Sequence, residues 1–280
     1  MNKALRKRLV SLADKYETAD FLEKDPSCFM HRYRRTEDRE LVAFVAAALA
    51  FGRRDQILSH VERILELAGP GPAGWVREGG WKRHFPDSSA SFYRTYSYGS
   101  MRALFGTLQD ILRRGTLGEY FRDRYREAEG RADGFSRGGD SFSCRTDGPL
   151  PHRHLCQVIA SCFPDGCTLI PRSPDCAFKK LNMFLRWMVR DSSPVDLGLW
   201  SSWYDKADLL LPLDTHVMQE ATRLDLLAPT AGGKLRAASF KRAVELTAAM
   251  GEAFPGDPVR GDYALFGLGV DVETASRRPF

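Results

Sequence analysis

The chain lacks any apolar run of the ~20 residues that a bilayer-spanning helix needs. The most apolar stretch, residues 43–51, is too short and reads as a buried helix. It also lacks strong charge of one sign. Its 41 Lys and Arg face 36 Asp and Glu, a net charge of +5. That balance permits nucleic acid as a partner without demanding it. The N-terminal segment does not read as a hydrophobic leader. Lys3, Arg6, Lys7 and Arg8 are interleaved with Leu5, Leu9 and Leu12 at helical spacing, which predicts an amphipathic helix and a cytoplasmic protein. No internal repeat is visible, and no alternation is long enough to propose a sheet.

Cysteine is present but poorly spaced for metal. Of six, Cys156, Cys162, Cys167 and Cys176 lie close together, near His152 and His154. Only the Cys162–Cys167 gap approaches a zinc knuckle, and no four-cysteine iron–sulfur pattern occurs at the C-terminus. The expectation is reduced thiols, no metal and no cofactor.

What remains is helix signal. Helices are predicted over residues 2–18 and 37–51, then after a break at Gly52 and an Asp55 cap, with Ile57, Val61, Ile64, Leu65 and Ala68 as the apolar stripe. Gly69-Pro70-Gly71-Pro72 ends that helix. Trp75, Trp81, Phe85, Phe92, Tyr93 and Tyr96 read as packing under short helices. Further helices are expected over 100–113, 117–129, 178–190, 214–226, 240–254 (Val244, Thr247 and Met250 inward) and 258–268. Residues 130–148, rich in Gly, Ser, Asp and Arg, read as a mobile insertion within one unit spanning 1–280. Asp257-Pro258 reads as another helix start.

The most informative stretch is Leu211-Pro212-Leu213-Asp214-Thr215-His216-Val217. An apolar run stops at a carboxylate and a helical pattern begins, so Asp214 is the natural N-cap. Asp214 reads either as the cap of a core helix or as a catalytic carboxylate at a cleft. Upstream, Lys179 and Lys180 open another apolar helix. A desolvated lysine amine is a nucleophile. Beside a carboxylate it could attack the C1′ of a nucleotide, expel the base and leave a Schiff base, with the carboxylate stabilising the oxocarbenium-like transition state. The base must first leave its stack.

These residues carry a resemblance. Leu211 to Leu227, with Arg223-Leu224 following the Pro-Leu-Asp-Thr-His-Val run, resembles the aspartate segment of the helix-hairpin-helix DNA glycosylases, the endonuclease III and 8-oxoguanine glycosylase superfamily. Lys179-Lys180-Leu181-Asn182 is similar to the lysine-bearing start of their second hairpin helix, and residues 39–54 look like their first core helix and the loop after it. More closely, the whole chain resembles a family of uncharacterised bacterial proteins filed as a domain of unknown function. Its marks are Asp25-Pro26 with His31-Arg32-Tyr33, Ala50-Phe51-Gly52-Arg53, Lys179 to Arg190, Pro212 to His216, and Asp262 to Gly267.

The resemblance implies an all-α, two-lobed helical bundle with a cleft between the lobes, and a monomer acting on damaged duplex DNA with a flipped base. It implies Asp214 as the catalytic carboxylate and Lys179 as the nucleophile, with Lys180 if the register shifts by one. His31, Arg32, Arg53, Arg54 and His216 could contact nucleic acid or face solvent. Asp262 could bond a helix start or face the pocket, and Trp200, Trp203 and Tyr204 could form a stacking wall or core. One departure stands out: Leu169 to Ala177, with two prolines and no glycine, replaces the Gly-rich hairpin that grips the DNA backbone in those enzymes. Two competing readings follow, a non-catalytic nucleic-acid-binding protein on the same scaffold and a metal-dependent hydrolase built on Asp214, His216 and the cysteines.

Overall fold

A computed structural model describes residues 1–134, 154–230 and 232–276. It is mostly helical. The order is α1 (Lys3–Tyr16), two 3-10 turns (Ala19–Lys24 and Pro26–Arg32), α2 (Thr36–Leu49), α3 (Arg54–Ala68), α4 (Pro72–Glu78), a 3-10 turn (Gly80–Arg83), strands β1 (Ser91–Tyr93) and β2 (Tyr96–Ser97), α5 (Tyr98–Leu112), α6 (Leu117–Gly134), α7 (Leu155–Ser161), α8 (Lys179–Val189), α9 (Thr215–Arg223), α10 (Phe240–Gly251) and α11 (Gly261–Ser276). Among the described residues, no helix is long and apolar enough to cross a membrane.

The centre is α2, buried from Glu40 to Leu49 without a break. A helix apolar on all sides must be wrapped by others, and α3, α4, α6, α8 and the 26–32 turn all pack on it. Phe44 marks the middle. Its ring stacks on Phe163 (centroids 5.3 Å apart) and meets Phe184 of α8 edge-on at 5.0 Å. Burying each such ring contributes about 1.5–3 kcal/mol. On the far side α1 packs along α11, where Tyr16 and Phe21 meet Phe266 edge-on.

One buried charge ties the scaffold. Glu40 of α2 accepts from Gly118 N at the start of α6 (3.2 Å) and from Trp200 Nε1 (2.7 Å). The helix N-terminus and the indole satisfy it, although burial still pushes its carboxyl upward. Gly118 is required here, since a Cβ would sit 2.5 Å from Trp200 Nε1 and 2.6 Å from Glu40 Oε1. Trp200 is therefore core, with Phe184 edge-on at 5.2 Å.

Several expectations need correction. A small antiparallel hairpin exists where no sheet was expected. Its strands are too short for alternation to register, and the turn between Tyr93 and Tyr96 is signalled only by Arg94 in the left-handed region (φ +51°). Asp55 is not the cap of α3. Arg53 occupies that position, and Asp55 lies inside the first turn, bonded to Arg53. Val244 faces solvent, whereas Thr247 and Met250 are buried. The last helix starts at Gly261, after a separate 3-10 turn at Pro258–Arg260. Of the expected insertion, residues 130–134 continue α6, and 135–148 lie outside the described residues.

Candidate functional site

Two helix starts build the site. Asp214 is extended (φ −125°, ψ −176°) and caps α9, its Oδ1 accepting from Val217 N at 2.9 Å. The second oxygen is left free and meets Lys179 Nζ at 3.0 Å. Both side chains are 36% exposed, so the pair opens to solvent. Burial pushes the Asp214 carboxyl up, but the Lys179 charge and the Val217 N–H outweigh it and hold the group below the usual carboxylate range.

Lys179 is delivered by a strained turn. Phe178 caps α8 in the left-handed region (φ +46°), where a bulky side chain is disfavoured. Buried Asn182 pins that turn, its Nδ2 donating to the Ala177 carbonyl (3.0 Å) and its backbone N–H to Phe178 O (2.9 Å).

Neighbouring residues on a helix diverge by about 100°, so Lys180 turns inward. Its ammonium donates to the Ala48 carbonyl at the end of α2 and to Tyr96 Oη, both at 3.0 Å, over the Tyr96 ring. A cation there complements the helix C-terminus, yet burial lowers the Lys180 pKa to about 8.

Behind the pair, α8 carries Arg186 and Arg190 into a charged layer. Arg186 bonds Asp196 (3.3 Å) and Asp262 and lies over the Tyr263 ring. Arg190 bonds Asp196, Asp257 (2.8 Å) and Glu17 (2.8 Å), and Arg260 bonds Glu17 at 2.7 Å. Carboxylates crowd this layer. Burial pushes Asp262 up to about 6, with the Asp214 charge adding to the rise and Arg186 and Lys179 opposing it.

The other candidates fall in three places. His216 is exposed in the first turn of α9, where its charge also favours ionised Asp214. Arg53 and Arg54 are exposed beyond the end of α2, Arg53 paired with Asp55 at 2.8 Å and Arg54 over the Phe266 ring at 5.5 Å. His31 is half-buried, its Nε2 2.8 Å from the Val195 carbonyl oxygen, and Arg32 pairs with Glu62 at 2.7 Å. Among the described residues, no hydrogen bond or ion pair links His31 or Arg32 to Lys179 or Asp214.

Sequence reasoning placed Tyr96 in the packing but not against Lys180, and it missed Arg186 and Arg190 behind the lysines. The signal for the arginines was available: Arg186 and Arg190 sit one turn apart in and just after the apolar run from Met183 to Val189, where each needs a carboxylate.

A hollow of about 400 Å³ lies elsewhere, walled by Trp203, Tyr204, Asp191 and Lys206, and touches neither Lys179 nor Asp214. The cysteines at 28, 156, 162, 167 and 176 are free thiols, and Cys144 lies outside the described residues. Burial pushes Cys156 up to about 12 and Cys162 and Cys167 to about 11, which disfavours thiolate chemistry. Among the described residues, no three His, Cys, Asp or Glu side chains converge as a metal would require.

No curated protein and no solved structure matches this chain. A family profile does, over residues 25–271, and the chain belongs to that family: DUF2400, protein of unknown function.

Proposed function

We propose that this protein is a DNA glycosylase, with or without strand nicking, acting on a flipped damaged base such as an oxidised purine. The observation that carries the reading is the 3.0 Å approach of Lys179 Nζ to Asp214 Oδ2, both partly open to solvent and both at helix starts. The two-lobed glycosylase architecture with its cleft, the single unit over 1–280, the monomeric state and the cytoplasmic location belong to this proposal. No cofactor is needed.

The chemistry uses these two groups. Asp214 is the nearest acceptor for the ammonium proton of Lys179. The neutral amine then attacks C1′, and the bond from C1′ to the base breaks. The base leaves with the electron pair and takes the proton that Asp214 received from Lys179, and the carboxylate so regenerated offsets the cation developing on the sugar. Ring opening gives a Schiff base. Water hydrolyses it, or loss of the proton at C2′ expels the 3′ phosphate and nicks the strand. The register alternative, Lys180, is supported by its lowered pKa and opposed by its bonds to Ala48 and Tyr96.

Borohydride trapping tests this. The protein is mixed with duplexes carrying an oxidised purine or an abasic site, and the imine is reduced in place. A covalent adduct that persists in Lys180→Gln and disappears in Lys179→Gln is the expected result. Loss in Lys180→Gln alone transfers the role to Lys180. Duplex binding without adduct or base release favours the second reading, a non-catalytic binding protein, which the proline-containing segment at 169–177 supports. Absence of both overturns both.

A further inference from the structure

Most large apolar side chains of this chain are inside, and Phe51 is an exception. The residue is 45% exposed, just past the end of α2. Among the described residues through 134, only Met1 is also a large exposed apolar side chain. Phe51 is not loose. Tyr93 Oη donates to its carbonyl at 2.6 Å, the Tyr96 ring lies 6.2 Å away, and the Arg94 guanidinium lies over its face at 4.8 Å.

Holding that arrangement costs backbone strain. Arg94 adopts φ +51° and Gly52 φ +106°. Any Cβ at position 52 would come within 2.7 Å of Arg94 Nη1. The left-handed Arg94 makes the tight turn that seats Tyr93 and Tyr96 in the core, and the same turn leaves its guanidinium over the Phe51 ring.

The surroundings are basic. Arg54 and Arg94 have no carboxylate within ion-pair distance among the described residues, and Lys180 lies under Tyr96. The facing carboxylates are Asp55, bonded to Arg53, and Asp214, bonded to Lys179. Tyr96 joins the ring to Lys180, the chain neighbour of Lys179.

We propose that Phe51 and Arg94 form a stacking platform for an unpaired nucleobase of the strand held beside Lys179 and Asp214. The proposal rests on the nucleic-acid reading above. An aromatic face gives sequence-tolerant stacking, and a guanidinium offers a second planar face with N–H groups at its edge for phosphate. A peptide helix would require a continuous apolar groove, whereas Phe51 stands alone among cations.

Full-length protein is titrated with labelled oligonucleotides of one length: single-stranded, fully paired, and duplex with one bulged 2-aminopurine. The bulged and single-stranded forms should bind tighter than the paired one, with 2-aminopurine emission quenched on binding. Phe51→Ala should weaken those two by roughly 5- to 100-fold and abolish the quenching, leaving the paired duplex unchanged. Phe51→Trp should restore both. Arg94→Gln should reduce the salt slope by about one for all three. Circular dichroism confirms that each variant is folded. Equal weakening of all three forms by Phe51→Ala, or none, overturns the platform even if Lys179 trapping succeeds. Failed trapping with the Phe51 pattern intact keeps the platform and removes the chemistry. Binding to no oligonucleotide overturns both.

Discussion

Lys180 reaches across 132 positions to cap α2, its ammonium 3.0 Å from the Ala48 carbonyl oxygen, while its neighbour Lys179 faces Asp214. The two lysines therefore do different work. Burial favours the neutral Lys180 amine, with a folded pKa of about 8 against an unfolded value of about 10.4. Between those values the unfolded chain holds the proton more tightly. Stability should rise with pH across that window. In Lys180→Met this rise should be absent. Chemical denaturation from pH 7.5 to 10.5 measures it, and parallel curves for wild type and variant would refute the assignment.

Asp214 should separate its two duties by substitution. Asparagine caps a helix as well as aspartate does, so Asp214→Asn loses only the half-exposed ion pair, about 0–1 kcal/mol. Asp214→Ala also loses the bond to Val217 N and should cost about 1 kcal/mol more. The folded pKa is lowered, so the wild-type advantage is present above pH ~4 and is lost as pH falls through the depressed value. Both variants should abolish base release, a loss that stability does not explain.

Arg190 holds the rear layer together. Removing it leaves Asp196, Asp257 and Glu17 short of a buried cation. Arg190→Met should cost about 3–5 kcal/mol in urea unfolding. Adding Asp196→Asn should cost less than the sum of the single changes, because the second substitution removes part of the stranded charge.

Asp262 predicts an acid-side signature. Its folded pKa is raised to about 6 from an unfolded value of about 3.9, so the native state binds the proton more tightly. The corresponding stability is complete below pH ~4 and is lost as pH rises through about 6. Asp262→Asn preserves the neutral shape. Relative to this variant, the wild type should lose stability between those pH values, and identical profiles would refute the shift.

How much of this was legible follows from range. Asp214 as an N-cap and Lys179 as a helix start depend on a few neighbouring residues, and the longer helices follow from local periodicity, although α7 was not among those expected. That both groups point at one another is tertiary information. So is the inward turn of Lys180, since its partners Ala48 and Tyr96 lie far away in the chain. Asp55 looked like a cap because aspartate favours that position, but its carboxylate is taken by the adjacent Arg53. The hairpin escaped because a strand of two or three residues has no period to read. Phe51 was read as the last residue of a buried helix, although α2 ends two residues earlier.

The Phe178 turn fixes which lysine faces which way, and this has a bearing on comparison between relatives. A one-residue slip at that corner would exchange a surface cation for an internal one. When chains of this family are aligned, the internal position is therefore the dependable anchor. Relatives that retain the scaffold without the chemistry proposed above should keep a basic residue at 180 and drift freely at 179.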